Sequence, residues 1–182
     1  ARYNQTFTSI DLIEDCQVAI EEFNSIEIKG IEGRSTLFIY GVLQALFCQQ
    51  DGLHHLFKCV VDPNIKLNKL FDLFNFNKAI REVRNDIAGH PTNRNSSEYY
   101  FIAKGATSKY NFTYAGYTTQ FRKVVVDLKS FLTQQEDFAS KVLLEVEKTI
   151  AMKIEKVKED YNLVSLVDIY EEMSSSTQLI YR

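Results

Sequence analysis

Apolar residues recur at helical spacing through most of this chain. Over residues 9–27, Ile10, Ile13, Val18, Ile20 and Phe23 supply apolar turns; Ser9 or Asp11 can cap the start, and Gly30 and Gly33 follow the end. Residues 35–61 are apolar nearly all round and stop at Asp62-Pro63, which predicts a long, central, buried helix. Within it, Gly41 and Gly52 mark close helix contacts or a kink. Residues 66–74 read as a short helical turn. Residues 75–88 read as a further helix, with Phe76, Ala79, Ile80, Val83 and Ile87 on one stripe, closed by Gly89-His90-Pro91.

The period then changes. After a loop at 92–97, the segments EYYFIAK and KYNFTYAGYTT are rich in aromatic and β-branched residues and are separated by Gly-Ala-Thr-Ser, which predicts a β-hairpin over about 98–118. From about Thr119 to Asp160 a mostly apolar stripe again steps by four and three: Phe121, Val125, Leu128, Leu132, Gln135, Ala139, Val142, Val146 and Ile150, with Ile154, Val157 and Tyr161 beyond. Forty residues of helix would reach ~60 Å, so this element must bend, break at the TQQED stretch or extend to meet a partner. A final helix is expected over 163–173. The expected fold is all-α: one domain over residues 1–182, a helical bundle with one inserted β-hairpin and a long C-terminal helix.

Composition narrows the function classes. A chain of 182 residues with 45% apolar residues can bury a core, which excludes wholesale disorder. Its 21 basic and 24 acidic residues give a net charge of −3, so any nucleic-acid contact must use a local patch. No apolar run is long enough to span a bilayer. The opening ARYNQTFTSIDLIED lacks the regions of a signal peptide, which makes a cytoplasmic location the expectation. Cys16, Cys48 and Cys59 are odd in number and lack C-x-x-C spacing, as free thiols of a reducing compartment would. The acceptor patterns at Asn4, Asn95 and Asn111 are then coincidences in an Asn-rich chain.

Candidate chemistry concentrates in Arg81-Glu82-Val83-Arg84-Asn85-Asp86-Ile87-Ala88-Gly89-His90-Pro91-Thr92. On an ideal helix Arg84 lies within about 40° of the Ile80–Val83–Ile87 stripe. A guanidinium there must find a partner or open into a cleft. His90 follows the helix end, where the carbonyl dipoles favour imidazolium. RNA cleavage without a metal needs a group to deprotonate the 2′-OH, a proton for the leaving oxygen and positive charge on the phosphorane. His90 and Arg84 are of those types, and Asn85 can orient ribose or phosphate. Lys78, Arg81 and Arg94 outnumber Glu82 and Asp86 nearby. The plainer assignment pairs Arg84 with Asp86, Glu82 or a carboxylate of another helix, and makes His90 a helix-stop residue.

Arg84-Asn85, four residues, then His90 resembles the signature of the HEPN superfamily: an Arg, a polar residue, then a His four to six positions after the Arg or slightly beyond. The resemblance covers this motif and the helical frame of residues 9–161. It implies an all-helical bundle, often dimeric, similar to the metal-independent ribonucleases of toxin–antitoxin and phage-defence systems. On that resemblance Arg84, Asn85 and His90 are the expected catalytic residues, with Lys78, Arg81 and Arg94 binding substrate, and neither metal nor cofactor is expected. The implied partners are RNA, a second copy of the chain, and an antitoxin or regulatory protein. A non-catalytic module of the same frame, binding a nucleotide, an RNA or a protein, is the alternative.

Other groupings are plainer. His54 and His55 lie about 100° apart on one helix and cannot share a metal ion from one face. One could face the 75–88 helix, although satisfied core or surface histidines are the simpler expectation. Tyr99, Tyr100, Tyr110, Tyr114 and Tyr117 could stack bases, but cross-strand packing is the expected use. P-loop, dinucleotide and nucleophile-elbow motifs are absent from the sequence.

Overall fold

The computed structural model describes residues 2–27, 32–89, 91–92, 98–117 and 120–161. In chain order these form α1 (Arg2–Ser25), α2 (Glu32–Val60), α3 (Leu67–Leu73), α4 (Ala79–Arg84), a π-helical turn (Asn85–Gly89), β1 (Tyr99–Thr107), β2 (Asn111–Tyr117), β3 (Phe121–Asp127) and α5 (Leu128–Tyr161). The fold is therefore mainly helical with a small antiparallel sheet in the order β1-β2-β3.

The central helix is where the hydropathy pattern places it. α1, α3, α4, α5 and β1 all pack on α2, and Ile39, Val42, Leu43, Leu46, Leu53, Leu56 and Phe57 are buried along it. Against it α1 lays Ile13, Cys16, Ile20 and Phe23, spaced by three and four as one helix face requires. Gly52 marks the close approach of these helices: a Cβ there would stand 2.9 Å from the Ile13 side chain and 3.3 Å from the Ser9 carbonyl. Gly41 has open space around it and marks no contact. Phe138 of α5 seals the far side of the core, with Phe76 at 4.4 Å, Phe71 at 5.5 Å and Phe74 at 6.1 Å between ring centroids.

Several boundaries differ from the sequence expectation for local reasons. α1 starts at Arg2 rather than residue 9, because the Thr8 and Ser9 hydroxyls bond back to the Asn4 and Gln5 carbonyls and leave the helix unbroken. α4 starts at Ala79 rather than 75: Asn75 takes a positive φ of 54°, and Asn77 Oδ1 accepts the Ala79 N–H. The hairpin gains a third strand. Residues 121–127 pair with β2 from Tyr117↔Phe121 to Asn111↔Asp127 instead of opening the last helix. Phe121 and Val125 are four apart, a spacing that suits one face of a strand as well as one face of a helix. The Val124-Val125-Val126 run favours the strand. Asp127 Oδ1 then caps α5 by accepting the Lys129 and Ser130 N–H groups.

α5 runs unbroken through TQQED for 34 residues, about 51 Å. Past Val146 it leaves the core, with Ile150, Met152, Ile154 and Val157 exposed. Lys153 Nζ donates to the Val60 carbonyl at the end of α2. The helix expected over 163–173 lies outside the described residues.

Candidate functional site

The motif sits where α4 loosens into the π-helical turn, against the middle of α2. Ile80, Val83 and Ile87 are buried, and the wider turn also brings Asp86 inward beside Ile87. Such turns insert one residue into a helix and occur frequently at functional sites. Asp86 is held by the Tyr114 hydroxyl, which donates to Oδ2 at 2.9 Å. Burial first, then this carboxylate, push the Tyr114 hydroxyl well above its ordinary pKa, while Arg122 acts in the opposite direction. The Tyr100 N–H donates to the Pro91 carbonyl at 2.7 Å. The turn is thus fastened to the sheet from both sides of the motif.

Arg84 lies over the Phe47 ring of α2, its guanidinium carbon 4.2 Å from the ring centroid. Gln44 Oε1, one turn earlier on α2, accepts from both Nε (3.0 Å) and Nη2 (2.8 Å). Asn85 Oδ1 accepts from Nη1 at 2.9 Å. No carboxylate pairs with Arg84 among the described residues, so its charge is oriented without being neutralised. Of the five guanidinium N–H groups, two have no partner among the described residues. A planar cation so placed suits a phosphate better than a mobile ammonium would.

Gly89 makes this geometry possible. A Cβ there would stand 2.8 Å from Arg84 Nη1 and 3.3 Å from Asn85 Oδ1. Gly89→Ala is expected to displace the Arg84–Asn85 pair and to lower whatever activity the site supports at least ~10-fold, since a displacement near 1 Å can cost ~100-fold. The melting temperature should change little, because the clash falls on the end of a flexible side chain. An activity assay with a melt on the same preparation checks both.

The other expected site residues are placed as follows. Arg81 lies over the same Phe47 ring at 3.6 Å and donates to Asp51 Oδ1 at 2.9 Å, a half-covered ion pair between α4 and α2. Lys78 pairs with Asp72 at 3.1 Å on the surface. His90 and Arg94 lie outside the described residues. His54 Nε2 is 3.0 Å from the Ile65 carbonyl, tying α2 to the turn after it. Burial lowers the His54 pKa, and the carbonyl partly offsets that. Among the described residues no group of three or more His, Cys, Asp and Glu is placed to hold a metal ion. Cys16, Cys48 and Cys59 are free, and burial pushes the Cys16 thiol up to about 11.

Sequence reasoning missed Gln44, Phe47 and a second polar feature. A chain of amides crosses the core in one direction. Arg81 donates to Gln50 (3.4 Å), Gln50 to Gln135 (3.0 Å), Gln135 to Gln49 (2.8 Å), Gln49 to Gln17 (3.0 Å) and Gln17 to Glu21 (2.9 Å). It begins at a cation and ends at a carboxylate, so each amide dipole is aligned with its neighbours. It opens into a polar cleft of about 420 Å³ floored by Gln49 and Gln135. The available signal was the recurrence of polar residues at 44, 49, 50 and 51 inside an apolar helix.

No protein-family model, curated protein or solved structure matches the chain.

Proposed function

We propose that this chain is a metal-independent endoribonuclease of the HEPN type, of toxin–antitoxin or phage-defence character, acting as a cytoplasmic homodimer. The observation that carries the reading is the Arg84 guanidinium. It is stacked on Phe47, fixed by Gln44 and Asn85, and free of any carboxylate among the described residues. In this reading Arg84 binds the scissile phosphate and stabilises charge as the phosphorane forms. His90, which directly follows the glycine under that guanidinium, transfers the proton between the 2′-OH and the leaving 5′-oxygen. Asn85 orients the ribose or phosphate. Lys78, Arg81 and Arg94 serve the RNA backbone, with Arg81 sharing its charge with Asp51.

Each chain has one such motif, and two-fold pairing supplies two of each residue. The exposed Ile150, Ile154 and Val157, spaced by four and three along α5, support association, because apolar stripes of this kind mark contact surfaces. No described helix is long and apolar enough to cross a membrane.

The test is incubation of the purified chain with total RNA in EDTA. Fragments with a 5′-OH and a 2′,3′-cyclic phosphate or 3′-phosphate are expected, because no metal takes part in the chemistry. Activity that EDTA abolishes and Mg²⁺ restores contradicts the mechanism. Sedimentation at micromolar concentration should give a dimer, and a monomer contradicts the composite site. The second reading, a non-catalytic module binding a nucleotide, RNA or protein, draws on the net charge of −3 and on the pairing of Lys78 and Arg81 with Asp72 and Asp51. It predicts binding with no cleavage.

A further inference from the structure

One face of the sheet packs on the helices, through Tyr100, Phe112, Tyr114 and Val126. The other carries aromatic side chains into solvent. The register places Tyr99, Tyr117 and Phe121 in one row across the three strands, and Phe101, Ala115 and Lys123 in the next. Ring centroids in the first row are 5.3 Å and 5.2 Å apart, and Tyr99, Phe101, Tyr117 and Phe121 are all 44–55% exposed. Exposed apolar area of this extent on one face marks a contact surface. Lys123 stands between Phe121 and Val125 in β3, and it makes no hydrogen bond or ion pair among the described residues. The one described carboxylate on this face, Asp127 at the strand end, is held by the N–H groups of α5.

We propose that this face is a stacking platform for single-stranded RNA, a surface that feeds the Arg84 site; the proposal rests on the ribonuclease reading for the identity of its ligand. Unpaired bases offer flat apolar faces that stack on such rings whatever their sequence, and the phosphates between them suit Lys123. A two-fold contact of this face with its own copy is the less suitable occupant. It would cover two Lys123 ammonium groups with no uncommitted described carboxylate on either face to meet them. The strands that carry the platform are anchored to the motif from their opposite face, through Tyr114–Asp86, and by the Tyr100 N–H on the Pro91 carbonyl.

The test uses a fluorescein-labelled 2′-O-methyl dodecanucleotide without self-pairing, which cannot be cleaved by 2′-OH attack and so separates binding from chemistry. Each ring truncation (Tyr99→Ala, Tyr117→Ala, Phe121→Ala) is expected to weaken binding about tenfold, the scale of base–aromatic stacking. Tyr99→Phe and Tyr117→Phe, which keep the rings, should leave affinity within about twofold. Lys123→Glu should weaken binding and flatten its salt dependence. Folded truncation variants with wild-type affinity overturn the proposal, as does wild-type protein that does not bind. So does a ring-dependent change in sedimenting mass at constant RNA affinity, which would assign the face to a protein contact. Ring-dependent binding without cleavage of ordinary RNA upholds the platform and removes the ribonuclease reading. Cleavage with ring-independent binding does the reverse.

Discussion

Arg84→Ala is expected to lower RNA cleavage by on the order of 10³-fold while leaving the chain folded. Removing one preorganised donor to a developing oxyanion costs about 10²–10³ in rate, and here the donor also carries the charge. Stability should fall by only about 1–2 kcal/mol. The losses are one partly exposed cation–π contact and hydrogen bonds to a surface glutamine and to Asn85, while Arg81 still covers Phe47. Arg84→Lys sharpens the argument. An ammonium keeps the charge but cannot grip Gln44 Oε1 from two nitrogens or lie flat on the ring, so most of the activity should still be lost. Gln44→Ala and Asn85→Ala should be intermediate, since each releases the guanidinium from one side. A cleavage rate and a thermal melt on each variant decide the matter. Wild-type activity in Arg84→Lys would show that charge alone suffices.

Gln135→Ala carries the largest expected effect on stability, about 3–5 kcal/mol. Gln135 is buried at the floor of the cleft, accepts from Gln50 and donates to Gln49. Its removal strands the Gln50 amide and the Gln49 carbonyl oxygen inside the core, at about 1–3 kcal/mol each, and leaves a cavity. For a chain of this size that is a fall of roughly 10 °C in melting temperature. Gln134→Ala is the control. Its amide donates to Ser130 one turn back in a solvent-exposed hydrogen bond, so the change should stay within about 0.5 kcal/mol. Chemical denaturation of the two variants separates a buried hydrogen-bonded layer from an ordinary helix surface.

These side chains show how much the sequence discloses. α2, α3, the hairpin and the helical stretch of α5 were legible because their period or composition admits one reading. Phe121 and Val125 were not, because a spacing of four fits both periods. The Ser9 hydroxyl could cap a helix or bond back within one, and its burial against Gly52 selects the second. The TQQED stretch reads as a weak point only in isolation, since its central glutamine is completed by Gln49 and Gln50, more than eighty positions away. At the site, Arg84 and Asn85 could be named from the motif. The groups that aim them, Gln44 and Phe47, lie about one α2 turn apart and some forty positions upstream. The π-helical turn carries no periodicity of its own, so nothing local announces that Asp86 turns inward to Tyr114.

The central claim is that the Arg84–His90 motif cleaves RNA without a metal. The most direct measurement is the single-turnover cleavage rate of a defined RNA in EDTA by wild type and His90→Ala, with a melt of each. The account predicts that His90→Ala loses cleavage with its melting temperature within about 2 °C of wild type, since by sequence His90 follows the Gly89 helix stop and substitutions outside a packed element cost about 0.5 kcal/mol or less. Full activity in His90→Ala, or loss only through unfolding, contradicts it and leaves a binding module in its place.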